Sequence, residues 1–321
     1  MRVTSSGPVS AAARWRIALI GYGEVGRILA EDLHHQGAMV AACDIKLATG
    51  GAAAQAMREH AAVHGVTLHA AHAEAVANAD LVICAVTASQ TLAAAQACCG
   101  GLRQGAYFLD LNSASPGAKC EAGVVVEAAG ARYVEGAVMT SVPPHRSKVP
   151  LILGGPHAAA LAPALEALGF VPSAGPVKLG VASATKMCRS VMIKGFEAMV
   201  IESFTAARAY GVEDAVLASL QETFPGIDWE KQGSYFFQRV IEHGRRRGEE
   251  MREVAQTLRE VGLDPWSASA SAERDEWMAG LGDAGVFGAR GTPGFARSTD
   301  WRIEADRILA SAHMDRDRDR T

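Results

Sequence analysis

Long apolar runs are missing from this chain. No stretch reaches the roughly eighteen consecutive apolar residues that a membrane-spanning helix needs, so a membrane partner is not expected. Residues 1–13 lack the sustained apolar core of a secretory signal. Residues 1–14 read as a disordered leader, and the default location is cytoplasmic. An excess of positive charge is also missing. The formal net charge of −4 argues against a nucleic-acid partner, because phosphate backbones select a basic surface. The six cysteines show no repeated CxxC pairing, which removes a disulfide framework or a zinc ribbon from consideration. Buried free thiols are the expectation. His69 and His72 lack helical metal-ligand spacing and acidic or cysteine company, so no metal is expected. What remains is a globular chain of 321 residues, 49% hydrophobic and 21% charged, long enough for two domains.

One stretch stands out. Arg16 to Ile20 is mostly apolar and of strand length, Gly21-Tyr22-Gly23-Glu24-Val25-Gly26 follows, and Arg27 to Leu33 continues as an amphipathic helix. This reads as the dinucleotide fingerprint, with a merely structural glycine turn as the plain alternative. Gly21 allows a tight turn, Gly23 lets the backbone approach a pyrophosphate, and Gly26 lets the helix pack close to the strand. The N–H groups at the helix start, with the positive end of its dipole, can hold phosphates. The next apolar run, Met39 to Cys43, ends in Asp44, placed to hydrogen-bond the adenosine ribose hydroxyls. Asp44 favours NAD over NADP, because a carboxylate repels a 2′-phosphate. Lys46 pulls the other way.

Further strands are expected at Leu81–Val86, Ala106–Leu111, Arg132–Gly136 and Val149–Leu153, with a short one at Val66–His69. Ala-rich helical stretches at Gly51–His64 and Ser89–Cys99 separate them. Strand-helix alternation predicts a doubly wound parallel sheet. The pattern changes after Val177. Ala182–Tyr210 reads as a helix apolar on most sides, and Val212–Phe224, Trp229–Val261 (with a break near Gly233), Ala268–Gly280 and Trp301–His313 are also helical. The fold class is therefore α/β: an N-terminal Rossmann domain over 15–177, then an all-α domain over 178–313 for substrate and dimerisation. A fraying tail is expected over 314–321. Arg245-Arg246-Arg247 reads as a solvated helix face.

Four blocks in order resemble the β-hydroxyacid dehydrogenase superfamily, which includes 6-phosphogluconate and 3-hydroxyisobutyrate dehydrogenases. They are the glycine loop, Ala79–Val86, Leu109-Asp110-Leu111-Asn112-Ser113-Ala114-Ser115-Pro116, and Gly180-Val181-Ala182-Ser183-Ala184-Thr185-Lys186-Met187. The resemblance implies NAD or NADP as cofactor and Lys186 as catalytic acid/base. The C-terminal helices resemble a little-characterised phosphogluconate-dehydrogenase-like subgroup. Some positions depart from the family. Its substrate-contacting Ser-Gly-Gly is Met139-Thr140-Ser141 here, and the asparagine four residues after the lysine is Ser190. Its Lys-Asp-Leu block is Glu249-Glu250-Met251. Met139 would make the substrate pocket less polar, so a larger or partly apolar substrate is expected.

Hydride transfer from an alcohol requires a group that takes the hydroxyl proton and returns it in reverse. A lysine does both when its pKa falls toward neutrality, and burial beside another cation pushes it there. Lys186 fits that task, although a lysine snorkelling at a helix end is the plain alternative. Ser190 and Lys194 follow at i+4 and i+8 on one broad face. Ser190 can bond the reacting oxygen. Lys194 can bind a substrate carboxylate or phosphate, or simply pair with Glu197. Val86-Thr87-Ala88 lies where the cofactor crosses the sheet edge. Asn112 and Ser113 can approach the nicotinamide ribose and substrate, or serve as turn residues. The loop Ser141–Lys148 offers either anion-binding groups or a solvated surface. The leading expectation is an NAD(P)-dependent dehydrogenase of β-hydroxy acids or related alcohols, a homodimer through the helical domain. An imine or ketone reductase and a non-catalytic nucleotide sensor remain open.

Overall fold

The computed structural model describes residues 15–296 and 298–318, with side chains as far as residue 312. The expected leader lies outside the described residues, as do positions 319–321 of the expected tail. In chain order the elements begin β1 (Arg16–Ile20), α1 (Glu24–His35), β2 (Met39–Cys43), α2 (Lys46–Thr49), α3 (Gly51–Val63), β3 (Thr67–Leu68), α4 (His72–Val76) and β4 (Leu81–Cys84). There follow α5 (Thr91–Cys98), β5 (Tyr107–Asp110), α6 (Pro116–Ala128), β6 (Arg132–Val138), α7 (Val142–His145), β7 (Pro150–Gly154), α8 (Ala158–Ala167) and β8 (Val171–Ala174). The helical remainder is α9 (Val181–Tyr210), α10 (Glu213–Thr223), α11 (Trp229–Glu260), α12 (Trp266–Asp283) and α13 (Trp301–Arg318).

The eight strands form one sheet in the order β3-β2-β1-β4-β5-β6-β7-β8. β4 and, after Arg16, β1 are apolar and buried because helices cover both faces. Leu19, Leu29, Leu81 and Leu109 belong to the core on one face; Ile20, Val82, Cys98 and Phe108 belong to the core on the other. The chain order reverses between β1 and β4, and ligands in such sheets bind at the carboxyl ends of the strands beside that reversal.

The sheet departs from a wholly parallel one at β6 and β7, which pair antiparallel. Only residues 139–149 join them, too few for a parallel crossover with a full helix. β8 was not visible in the sequence. It is an edge strand with Pro172, and its side chains are largely open to solvent.

The chain divides into two compact units at Met187/Cys188, inside α9. In the second unit, Phe204, Phe237, Trp301 and Ile308 share an apolar core. α11 runs without the expected break. Gly233 is there for close packing, since a Cβ would press on Phe204 and Trp301. α13 continues to Arg318, beyond the expected end at His313. Met314 and the arginines that follow are good helix formers, and no Gly or Pro stops the run. No helix among the described residues is long and apolar enough to cross a membrane.

Candidate active site

The glycine turn has the geometry its spacing predicts. Gly21 has φ +90° and its N–H donates to the Cys43 carbonyl at 2.9 Å. A Cβ there would run into the Ala85 carbonyl, and one on Gly26 would strike the Gly21 carbonyl oxygen. Gly23 differs: nothing lies within 4 Å of where its Cβ would be. Gly23 caps α1 without a side-chain hydrogen bond, so the first-turn N–H groups have no side-chain acceptor there. An open cradle against the positive end of a helix fits a pyrophosphate.

Asp44, at the end of β2, accepts from the Tyr22 N–H at 2.8 Å and the Lys46 N–H at 2.9 Å. Both bonds go to its carboxylate, which is thereby fixed beside the turn. Lys46 is exposed, as is Glu24, and Val25 is half-buried. The Tyr22 ring is buried inward. Burial raises its phenol to about 12, and its hydroxyl lies 2.8 Å from His60 Nδ1. The Tyr22 side chain therefore packs into the domain and leaves only its backbone in the turn.

A buried polar knot underlies the ends of β4 and β5. Asn112 Oδ1 accepts from the Val86 N–H at 2.7 Å, and its Nδ2 donates to Cys84 Sγ at 3.3 Å. Its side chain thus ties the Val86 loop to β5. Thr87 is exposed beyond it, while Ala88 turns inward. Asp110 accepts from the Asn112 N–H at 2.9 Å and the Tyr133 hydroxyl at 2.7 Å, and pairs with Lys119 Nζ at 2.8 Å. Lys119 is 1% exposed and also donates to the Asp110 carbonyl at 2.9 Å. A buried charge this well bonded is stable only as a set, and it pins the turn that carries Ser113. Lys119 and Tyr133 escaped the sequence reading because their partner lies on another element.

Lys186 Nζ donates to Ser113 Oγ at 2.6 Å. The helix that carries it is anchored by Glu135, which is fully buried. One carboxylate oxygen of Glu135 accepts from Gly180 N at 3.0 Å and Ala182 N at 3.1 Å. The other accepts from Ser183 Oγ at 2.9 Å and Ser183 N at 3.4 Å. An anion at the N-terminus of α9 meets both the unpaired amides and the helix dipole. Only the Glu135 position on β6 brings it there, and no local spacing signals it.

Met139 is half-buried and its N–H extends the β6–β7 pairing to the Pro150 carbonyl at 3.0 Å. Thr140 is exposed and Ser141 half-buried. In the following loop His145 and Lys148 are exposed, whereas Arg146 is drawn back onto the sheet domain. Arg146, at φ +55°, bonds Asp32 at 2.8 Å and Glu31 at 2.6 Å, so its charge is committed to α1.

Ser190 and Lys194 follow on α9 within the second unit, and both are buried. Lys194 pairs with Glu250, which also accepts from Arg246 at 2.9 Å. Burial lowers the Lys194 pKa despite Glu250. Glu197, weighed as its partner, instead pairs with Arg247. Arg247 thereby corrects the solvated-face reading. It is 2% exposed, drawn inward by Glu197 on a face of α11 where Gly244 and Gly248 allow close approach of α12. Asp275 is 0% exposed in the same region, and burial raises its carboxyl to about 7.

The strand order, the open glycine cradle, the fixed Asp44 and the lysine beyond β5 define an NAD(P)-binding protein of the hydroxyacid-dehydrogenase type. Residues 16–174 match the NAD binding domain of 6-phosphogluconate dehydrogenase, and residues 207–278 match a domain of unknown function (DUF1932). The chain is 36% identical to a conserved hypothetical protein from Sinorhizobium meliloti 1021, covering 92% of this chain and 96% of that one at a TM-score of 0.69. It is 29% identical to a conserved protein of unknown function whose structure is described as similar to 3-hydroxyacid dehydrogenases. That match covers 83% of this chain and 99% of the other, with a TM-score of 0.63. The fold is also that of Mycobacterium tuberculosis 3-hydroxyisobutyrate dehydrogenase, solved with L-serine, at 17% identity, 92% and 99% coverage and a TM-score of 0.66. The chain belongs to the 6-phosphogluconate dehydrogenase-like branch of the β-hydroxyacid dehydrogenase superfamily, with the DUF1932 domain at its C-terminal end.

Proposed function

We propose that the protein is an NAD(P)-dependent dehydrogenase that oxidises a hydroxy acid or related alcohol, or reduces the matching carbonyl compound, with Lys186 as acid/base. The observation that carries this reading is the 2.6 Å bond from Lys186 Nζ to Ser113 Oγ. It holds the amine beside a hydroxyl on the turn that follows β5, at the sheet edge where dinucleotides bind. Gly21, Gly23, Gly26 and Asp44 would hold the cofactor, which supplies a hydride acceptor or donor when bound. Lys186 takes the substrate hydroxyl proton during oxidation and returns it during reduction. Ser113 fixes the amine and shares the reacting oxygen. Glu135 and the Asp110–Lys119 pair keep both side chains in place.

Asp44 favours NAD, since a 2′-phosphate beside its fixed carboxylate meets like charge. The six free thiols suit a reducing, cytoplasmic setting. α9 leaves Met192 72% and Met199 63% exposed, one heptad apart, and Tyr210 continues the open side. A second copy of the chain covers that stripe in this proposal. The test of function is a screen of hydroxy acids and bulkier alcohols with each cofactor, followed by nicotinamide absorbance. Turnover with a hydroxy acid supports the reading; turnover confined to imines contradicts it.

A further inference from the structure

Beside the glycine turn lies a cluster that the nucleotide site does not use. Glu31 comes from α1; His60 and His64 come from α3 and the residue that caps it, one helical turn apart. Each offers one ligand atom, and the three atoms lie within 4.8 Å of one another. His60 Nε2 and Glu31 Oε1 are 3.0 Å apart, and the two imidazole rings are 4.4 Å apart between centroids. His60 and His64 stand four residues apart in sequence, and the carboxylate that completes the set comes from another helix.

We infer that Glu31, His60 and His64 form a binding site for a zinc-class divalent cation, with a fourth position left for water. Two imidazoles and one carboxylate are a ligand set of that chemistry. With bonds of about 2.1 Å, neighbouring ligand atoms of a tetrahedral zinc sit roughly 3.4 Å apart. The Nε2–Oε1 separation is already close to that, so the cation replaces the shared proton with a small spreading of the two side chains. His64 swings in to complete the set. The outer groups are in place as well. The Tyr22 hydroxyl, 2.8 Å from His60 Nδ1, fixes which ring nitrogen faces the cation. Arg146 holds the other oxygen of Glu31 at 2.6 Å, leaving Oε1 to ligate. Tyr22 belongs to the glycine turn, so an occupied site braces that turn through a hydrogen bond.

The test uses the full chain, tag-free and chelator-stripped, titrated calorimetrically with zinc chloride and followed by visible absorbance with cobalt(II). Saturation at one cation per chain, with the visible bands of four-coordinate cobalt, is expected. His64→Ala should weaken binding by at least about tenfold, and Tyr22→Phe by about tenfold without removing a ligand. His72→Ala, outside the cluster, should leave it unchanged. Melting curves without metal confirm that each variant folds. His64→Ala is the deciding variant, because His64 has no part in the Glu31–Arg146 pair. No saturable binding, or the same affinity in His64→Ala, overturns the inference.

Discussion

Asp44 shows how one side chain can carry two duties. Its carboxylate fixes the glycine turn through the Tyr22 amide, and in the proposed function it also receives the adenosine ribose. Asp44→Ser should therefore lower affinity for NAD and narrow the gap to NADP, measured as the ratio of the two dissociation constants. An unchanged ratio would remove Asp44 as the discriminating group. Asp275 gives a prediction in pH. Its carboxyl is held near 7 by burial, against 3.8 in the unfolded chain. Between those values the folded state keeps a proton that the unfolded state has lost, so stability falls as pH rises through that window. Asp275→Asn should flatten this dependence, so that its Tm changes less than wild type between about pH 5 and about pH 8.

At the scale of elements, α9 depends on an acid from a neighbouring strand. Glu135→Ala removes the acceptor for its first amides and should cost about 2 kcal/mol in denaturant unfolding. The same change should lower kcat while leaving cofactor affinity nearly intact, because the glycine turn is not touched. A kcat equal to wild type would mean that Lys186 keeps its place without this anchor. The elements themselves differ in how far they could be read from sequence. The strand-turn-helix at Gly21–Gly26 was legible because every group that makes it is adjacent in the chain. β8 was hidden because an exposed edge strand with a proline has neither apolar alternation nor a run. Gly233 misled because a glycine that weakens a helix and one that admits a neighbouring aromatic ring look the same in sequence. Glu135, Lys119 and Arg247 were silent for a related reason: their partners lie on other elements, and burial of a charge has no local signature.

For the whole molecule, the sheet half and the helical half rest on separate apolar cores. The open stripe on α9 predicts a homodimer, and light scattering should return twice the chain mass. Met192→Glu with Met199→Glu should shift it to the monomer, since burying two new charges at an interface is costly. A wild-type monomer would refute the proposed partner. The proposed reaction turns on Lys186. The most direct measurement compares wild type with Lys186→Ala on a substrate found by screening, reading turnover and cofactor affinity in parallel. The account predicts a fall in kcat of about 100-fold or more with cofactor affinity unchanged. Turnover that survives the substitution would contradict it.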